Sequence, residues 1–343
     1  MKLLPVPEPL IRYSPSVDHF SSILNLYSDR TIPWIIENYI EVVFNPTEGE
    51  SCFMAEFLDN YKVWWNCPFI NVSRMERALL IDQDILSIVK RAIDRNAYVM
   101  MVIDTYYISG YKTYQQHHRS HEIFLYGYDE NSFYAIDYFD FNHCTNKTIS
   151  FCQLLDAYMK FSDKEYDYLC GVVFFRADLE VINNGRPDIQ FQYYKGRSVY
   201  IPDRTLIKQR LEGFLEGSPL VLASFSNYFD PCFGFITGYS AFERIGNEIS
   251  VESIEYLKKP FSLLYAHIQI MTLRVCYLNE RYELHLESLC FRCKELETRC
   301  KLMRNKYLKD LFLKKNNVNQ LANSYEELLI EYKKVVELLI RVL

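Results

Sequence analysis

With 343 residues, 49% apolar and 24% charged side chains, and only 11 glycines and 12 prolines, the chain is long enough for two ordinary domains. It is too apolar and too poor in chain breakers to be disordered, fibrous or rich in linkers. A net charge of −6 argues against a general nucleic-acid binder, which would be strongly basic.

The N-terminal MKLLPVPEPLIRYS has no apolar run of signal-peptide length. No stretch reaches the roughly 18 consecutive apolar residues of a membrane span. The expectation is a cytoplasmic protein without a membrane partner, its ten cysteines reduced and used as small core residues.

Phe20, Ile23, Leu24 and Leu26, then Trp34, Ile35, Tyr39 and Val42, recur at helical spacing. They predict one or two helices over residues 16–45, broken at Thr31-Ile32-Pro33. Residues 77–96 predict another helix. Tyr98–Ile103 is a short β-rich apolar run, a buried strand, and a polar loop rich in Tyr, Gln and His spans Ser109–Ser120. Two strands, His121–Tyr128 and Ser132–Phe139, flank the turn-like Asp129-Glu130-Asn131 and read as a hairpin. A helix over Ile149–Phe161 and a strand over Gly171–Arg176 complete an α+β domain with a mostly antiparallel sheet and N-terminal helices.

Thr205–Glu216 reads as a helix, and the pattern is helical from Pro260 onward. Leu289, Cys293, Leu296, Cys300, Met303 and Tyr307 form one face; Tyr325, Leu328, Tyr332, Val335, Leu339 and Val342 form another. Ser324 and Glu327 have the spacing of a capping box for the last helix. The expected division is residues 1–180, a mixed α/β continuation over 181–259, and an antiparallel helical bundle over 260–343.

His121 opens one strand of the hairpin and Asp137 lies near the far end of the other, so antiparallel pairing brings them together. A histidine with a carboxylate partner is a general base held in one tautomer; the alternative is a surface histidine and a hairpin-end aspartate. Gly127 is expected to let the chain turn after the strand. Cys290 and Cys293 form a C-x-x-C with Cys300 and His285 nearby, but their spacing matches a packed helix face rather than zinc knuckles. His117 and His118 read as part of a mobile polar loop. Walker, dinucleotide, zincin and G-x-S-x-G motifs are all absent, and no cofactor or metal is expected.

The run His121–Asp129 with Phe133–Asp137 resembles the base region of papain-like peptidases and acyltransferases, and most closely the butirosin biosynthesis protein H type of domain from bacterial natural-product gene clusters. Ile32–Ile35 with Asn38–Ile40, Ile103–Ile108, and His267–Met271 with Arg274, Tyr277 and Leu278 are also similar to that family. The likeness runs from about residue 15 to the C-terminal helices. It implies a papain-like fold and a cysteine on the first helix, with His121 as base and Asp137 as its orienter. It further implies transfer of an acyl group from an acyl or peptidyl carrier protein.

The nucleophile departs from the pattern. Near Asp18, where the resemblance places a cysteine, there is none, and no cysteine occurs before Cys52. Ser21 and Ser22 are alternatives, as is Cys52, expected at the start of a helix-like stretch that would lower its pKa. The vacancy favours a catalytically impaired relative acting in binding or scaffolding; the alternative is an acyltransferase or thioesterase-like enzyme. Residues 281–343 carry 13 Lys/Arg against 9 Asp/Glu. Within them Arg292–Lys315 holds nine basic and three acidic residues, either a solvated helical face or a dock for an acidic carrier protein.

Overall fold

The computed structural model describes residues 1–46, 54–58, 64–140, 144–161, 167, 169–186, 191–194, 197–218, 235–250, 254–315 and 317–343. Contacts group the chain into two units built from interleaved segments. Unit 1 takes Met1–Leu10, Pro15–Ser28 and Trp64–Asn184; unit 2 takes Ile11–Ser14, Asp29–Val63 and Gly185–Leu343. The expected limits at residues 180 and 259 are linear, whereas the contacts send residues 29–63 to the C-terminal unit.

In chain order the elements begin with β1 (Lys2–Leu3), α1 (Pro15–Asn25), α2 (Ser28–Asn38), β2 (Val42–Asn45), β3 (Met54–Phe57), β4 (Ile70–Glu76) and α3 (Ile85–Asp94). Next come β5 (Tyr98–Asp104), β6 (Ser120–Tyr128), β7 (Ser132–Asp137), β8 (Thr145–Ser150), α4 (Phe151–Met159), β9 (Gly171–Ala177) and α5 (Leu179–Asn184). Unit 2 continues with β10 (Phe191–Tyr194), β11 (Arg197–Tyr200), α6 (Arg204–Glu216), β12 (Ile236–Thr237) and α7 (Gly238–Asn247). It ends in α8 (Lys258–Tyr282), α9 (Glu287–Phe312) and α10 (Val318–Val342). The protein is α+β, as expected, with antiparallel sheets and a helical C-terminal region.

Unit 1 is built on a seven-stranded sheet in the order β4-β9-β5-β6-β7-β8, with β1 added to β6. Its central strand β5 is buried along its whole length, which is why it reads as an unbroken apolar run. The β6–β7 turn is fixed by Asp129, whose Oδ1 accepts the Asn131 and Ser132 amides at 2.9 and 2.8 Å. Gly127 does not turn the chain. It lies inside β6, where a Cβ would stand 2.7 Å from the Lys2 carbonyl oxygen, so glycine is what admits β1.

Several expected boundaries move. The break between the first two helices falls at residues 26–27, and Pro33 lies inside α2. Val42 belongs to β2, whose four residues are all buried; a short buried strand and a helix face look alike in apolar pattern. Only Ile85–Asp94 of the 77–96 stretch is α-helical, started by Asp84, which accepts the Ser87 amide at 3.1 Å. The polar edge strand β8 precedes α4, and Ser150 caps that helix.

In unit 2 the buried residues of α9 are the six read from the sequence, so Cys293 and Cys300 pack in the core and the C-x-x-C follows helix spacing. α10 starts at Val318, which places Ser324 inside the helix rather than at its cap. Val342 is exposed, outside the buried face of that helix. One stretch among the described residues, Ile254–Tyr282, is long and apolar enough to cross a membrane, and 67% of its apolar window is buried within the protein.

Candidate functional site

The hairpin brings its two expected residues together at one end of the unit 1 sheet. His121 pairs with Ile103 of β5, and Asp137 closes β7. His121 Nδ1 stands 3.8 Å from Asp137 Oδ2, and it lies 3.0 Å from the Glu122 carbonyl and 3.2 Å from Glu122 Oε2. The loop after β5 delivers Tyr111, whose hydroxyl donates to Asp137 Oδ2.

A second imidazole reaches the same carboxylate. His19, on α1, stacks on Phe124 at 4.8 Å and places Nε2 3.8 Å from Asp137 Oδ1. His19 and Asp137 are both buried, and His19 Nε2 and Asp137 Oδ1 face each other without a hydrogen bond. Sequence reading missed His19 because a histidine at helical apolar spacing reads as core. Its position beside Asp18, where the resemblance seeks a nucleophile, was the available signal.

Electrostatics fix the protonation states. Burial lowers the His121 pKa, but the Asp137 charge and the hydrogen bond and charge of Glu122 overcome it and raise it to about 9. Burial would raise Asp137; the His121 charge, His19 and the Tyr111 hydroxyl outweigh it and hold the carboxyl below its ordinary value. Burial, with the Asp137 charge behind it, pushes Tyr111 far up. At neutral pH the centre is therefore an imidazolium–carboxylate pair with a neutral phenol on the carboxylate.

The nucleophile candidates fare differently. α1 does lie against the His–Asp pair, through His19. On that helix the Ser21 and Ser22 hydroxyls are buried and donate to the Asp18 carbonyl at 3.2 and 2.8 Å. The Asp18 carboxylate accepts the Tyr138 hydroxyl at 2.5 Å. Cys52 lies outside the described residues, but the stretch after it is strand β3, not a helix, which removes the helix-terminus reason for an activated thiol. Cys67 is buried, and burial drives its thiol well above the ordinary range.

The structure adds a His–Asp pair that spacing did not reveal. Asp104 ends β5 fully buried, and its Oδ2 meets His118 Nδ1 at 2.6 Å. Asp104 Oδ1 accepts the amides of Tyr106 and Arg119 at 3.0 and 3.3 Å. One carboxylate thus ties both ends of the loop over 105–119 that carries Tyr111, and the half-exposed His118 ring stacks on Tyr106 at 4.3 Å. The loop read as mobile is fastened at its neck. A carboxylate closing a wholly apolar strand was the available clue.

The early and late segments singled out by the resemblance meet inside unit 2. Arg274, fully buried on α8, donates to the carbonyls of Ile36 and Tyr39 at 2.6 and 2.9 Å, at the C-terminal end of α2. His267, two turns earlier, donates from Nε2 to the Ile40 carbonyl at 2.6 Å and accepts the Tyr332 hydroxyl at Nδ1. This is a packing clamp. Among the described residues no group of three or more His, Cys, Asp or Glu is placed to hold a metal.

The chain matches no protein-family model, and no curated protein matches it.

Proposed function

We propose that the chain is a papain-like-fold relative of the butirosin biosynthesis protein H type that has lost its nucleophile. In this reading it acts by binding or scaffolding in cytoplasmic natural-product biosynthesis of the non-ribosomal peptide or polyketide kind, with an acyl or peptidyl carrier protein as partner. One observation carries the reading. α1 reaches the His121–Asp137 pair, yet its side chains there are an acid, an imidazole and two hydroxyls that donate to their own helix backbone. A buried hydroxyl donating to the helix carbonyl three or four residues back directs its one proton to the backbone rather than to a base. His121, cationic at neutral pH, is a poor proton acceptor.

The test is turnover of a simple acyl thioester, with N-acetylcysteamine thioesters as probe and mass spectrometry for a trapped acyl-enzyme. The expected result is no His121-dependent turnover and no acyl adduct. Turnover abolished by His121→Ala, or selective alkylation of one cysteine that His121→Ala removes, would overturn it. A second reading, an acyltransferase or thioesterase using a Cys or Ser nucleophile with His121 as base, draws on the three groups gathered around Asp137: His19, His121 and Tyr111. The same assay decides between the two.

A further inference from the structure

The long helix α9 turns one side to the core and leaves the other open. Leu289, Cys293, Leu296, Cys300, Met303 and Tyr307 fill the buried stripe. At roughly 100° per residue, Phe291, Leu302 and Phe312 fall on the opposite side. They are 62%, 63% and 85% exposed.

Of the seven cations of α9, Arg292 lies near the charge of Glu331, and the other six divide into two sets. Arg299 is ion-paired to Glu331 at 2.7 Å, Lys306 donates to Gln320 at 2.6 Å, and Arg304 lies over the Tyr265 ring at 4.5 Å. Those three serve packing against neighbouring helices. Lys294, Lys301 and Lys309 are exposed, their ammonium groups make no hydrogen bond or ion pair among the described residues, and they lie beside the apolar residues on the outer side; the half-buried Glu297 shares the charge of Lys294 and Lys301.

We propose that this outer face of α9 is a docking surface for an acidic helix of a partner protein. The exposed apolar residues seat against apolar side chains of that helix, and the three lysines meet its carboxylates. The arrangement favours a protein over an anionic lipid surface. Phe291 and Leu302 are about 16 Å apart along the helix, with the polar Thr298 between them, and Glu295 borders the face. A bilayer-binding helix would present a continuous apolar stripe. The proposal deepens the binding role above and rests on it only in expecting a protein partner.

The experiment uses the full chain and a fluorescent, helix-stabilised peptide with two leucines about eleven positions apart flanked by glutamates, read by anisotropy. A Lys-flanked version of the peptide and vesicles of phosphatidylcholine with phosphatidylserine are the other arms. The expected result is saturable binding of the acidic peptide, on the order of 100 μM at low salt and about tenfold weaker at high salt. The triple variant Lys294→Glu, Lys301→Glu, Lys309→Glu loses the acidic peptide and gains the Lys-flanked one. Leu302→Ser with Phe312→Ser weakens binding about fivefold or more. Unchanged circular dichroism is required of each variant, which their exposed positions favour. No binding of the acidic peptide at millimolar concentration, binding indifferent to charge reversal, or lysine-dependent preference for the vesicles over the peptide overturns the proposal. Thioester turnover is read separately, so an active His121 site and a failed dock give different results.

Discussion

His121 in unit 1 and His267 in unit 2 are both packed into protein, and they end in opposite charge states. His121 has acids against its Nδ1, and its pKa rises to about 9. His267 has a backbone carbonyl, a phenol and the nearby Arg274 charge, and burial lowers its pKa to about 3. Burial alone does not decide the charge of an imidazole; the acid beside it does. The neutral histidine belongs to a clamp that closes unit 2, while the charged one belongs to the only described centre where two imidazoles approach one buried carboxylate.

The largest effect is expected from Asp137→Ala. It leaves His121 with Glu122 as its remaining acid and removes the carboxylate that accepts the Tyr111 hydroxyl. Breaking a buried pair from one side costs about 3–5 kcal/mol. Urea unfolding at pH 7 measures it, and a cost below about 1 kcal/mol would show that the pair is not charged in the folded protein.

The comparison also makes two pH slopes of opposite sign. The folded His121 pKa is raised, so its contribution is complete below pH 6.5 and lost as the pH rises through about 9. That contribution is about 3 kcal/mol at most. The folded His267 pKa is depressed, so its folded state disfavours protonation: stability is complete above pH 6.5 and declines as the pH falls towards 3. Urea midpoints across pH 4–9 should therefore lose their alkaline decline in His121→Gln and part of their acid decline in His267→Gln. The same slopes in both variants would sink the contrast.

The sequence disclosed one half of this contrast better than the other. His121 and Asp137 were legible because strand alternation and an Asp129 turn fix the hairpin, and antiparallel pairing then sets which ends meet. The packing face of α9 was legible because three-and-four spacing over 26 residues admits one reading. His19 was not, since its role depends on α1 lying against a strand end about a hundred residues later in the chain. Asp104 and His118 are separated by a loop whose closure rests on backbone amides, which carry no residue signature. Val42–Asn45 was misread because a fully buried strand shows no alternation.

The Asp104–His118 neck gives a smaller test of how the loop serves the charged centre. Asp104→Asn keeps the shape but weakens the bond to His118 and the two amide bonds. The expected cost is about 1–2 kcal/mol, with faster hydrogen exchange over residues 105–119. If exchange there is unchanged, Asp104 does not fasten the loop, and Tyr111 is held at Asp137 by other packing.

The smallest effect is expected where an active enzyme would show the largest. The Ser21 and Ser22 hydroxyls each donate to the Asp18 carbonyl, which is also an acceptor of ordinary helix bonding, so their removal leaves that carbonyl with a donor. Ser21→Ala and Ser22→Ala should each change stability by less than about 1 kcal/mol. Neither should alter the response of His121 to pH, because no hydroxyl of α1 is among the groups that set its pKa. A hydroxyl that served as nucleophile would have to leave its backbone acceptor and reach the imidazole, and its loss would then abolish any thioester turnover. A His121-dependent activity that vanishes in Ser21→Ala or Ser22→Ala while stability holds would move this chain from binding protein to enzyme, with α1 supplying the attacking group.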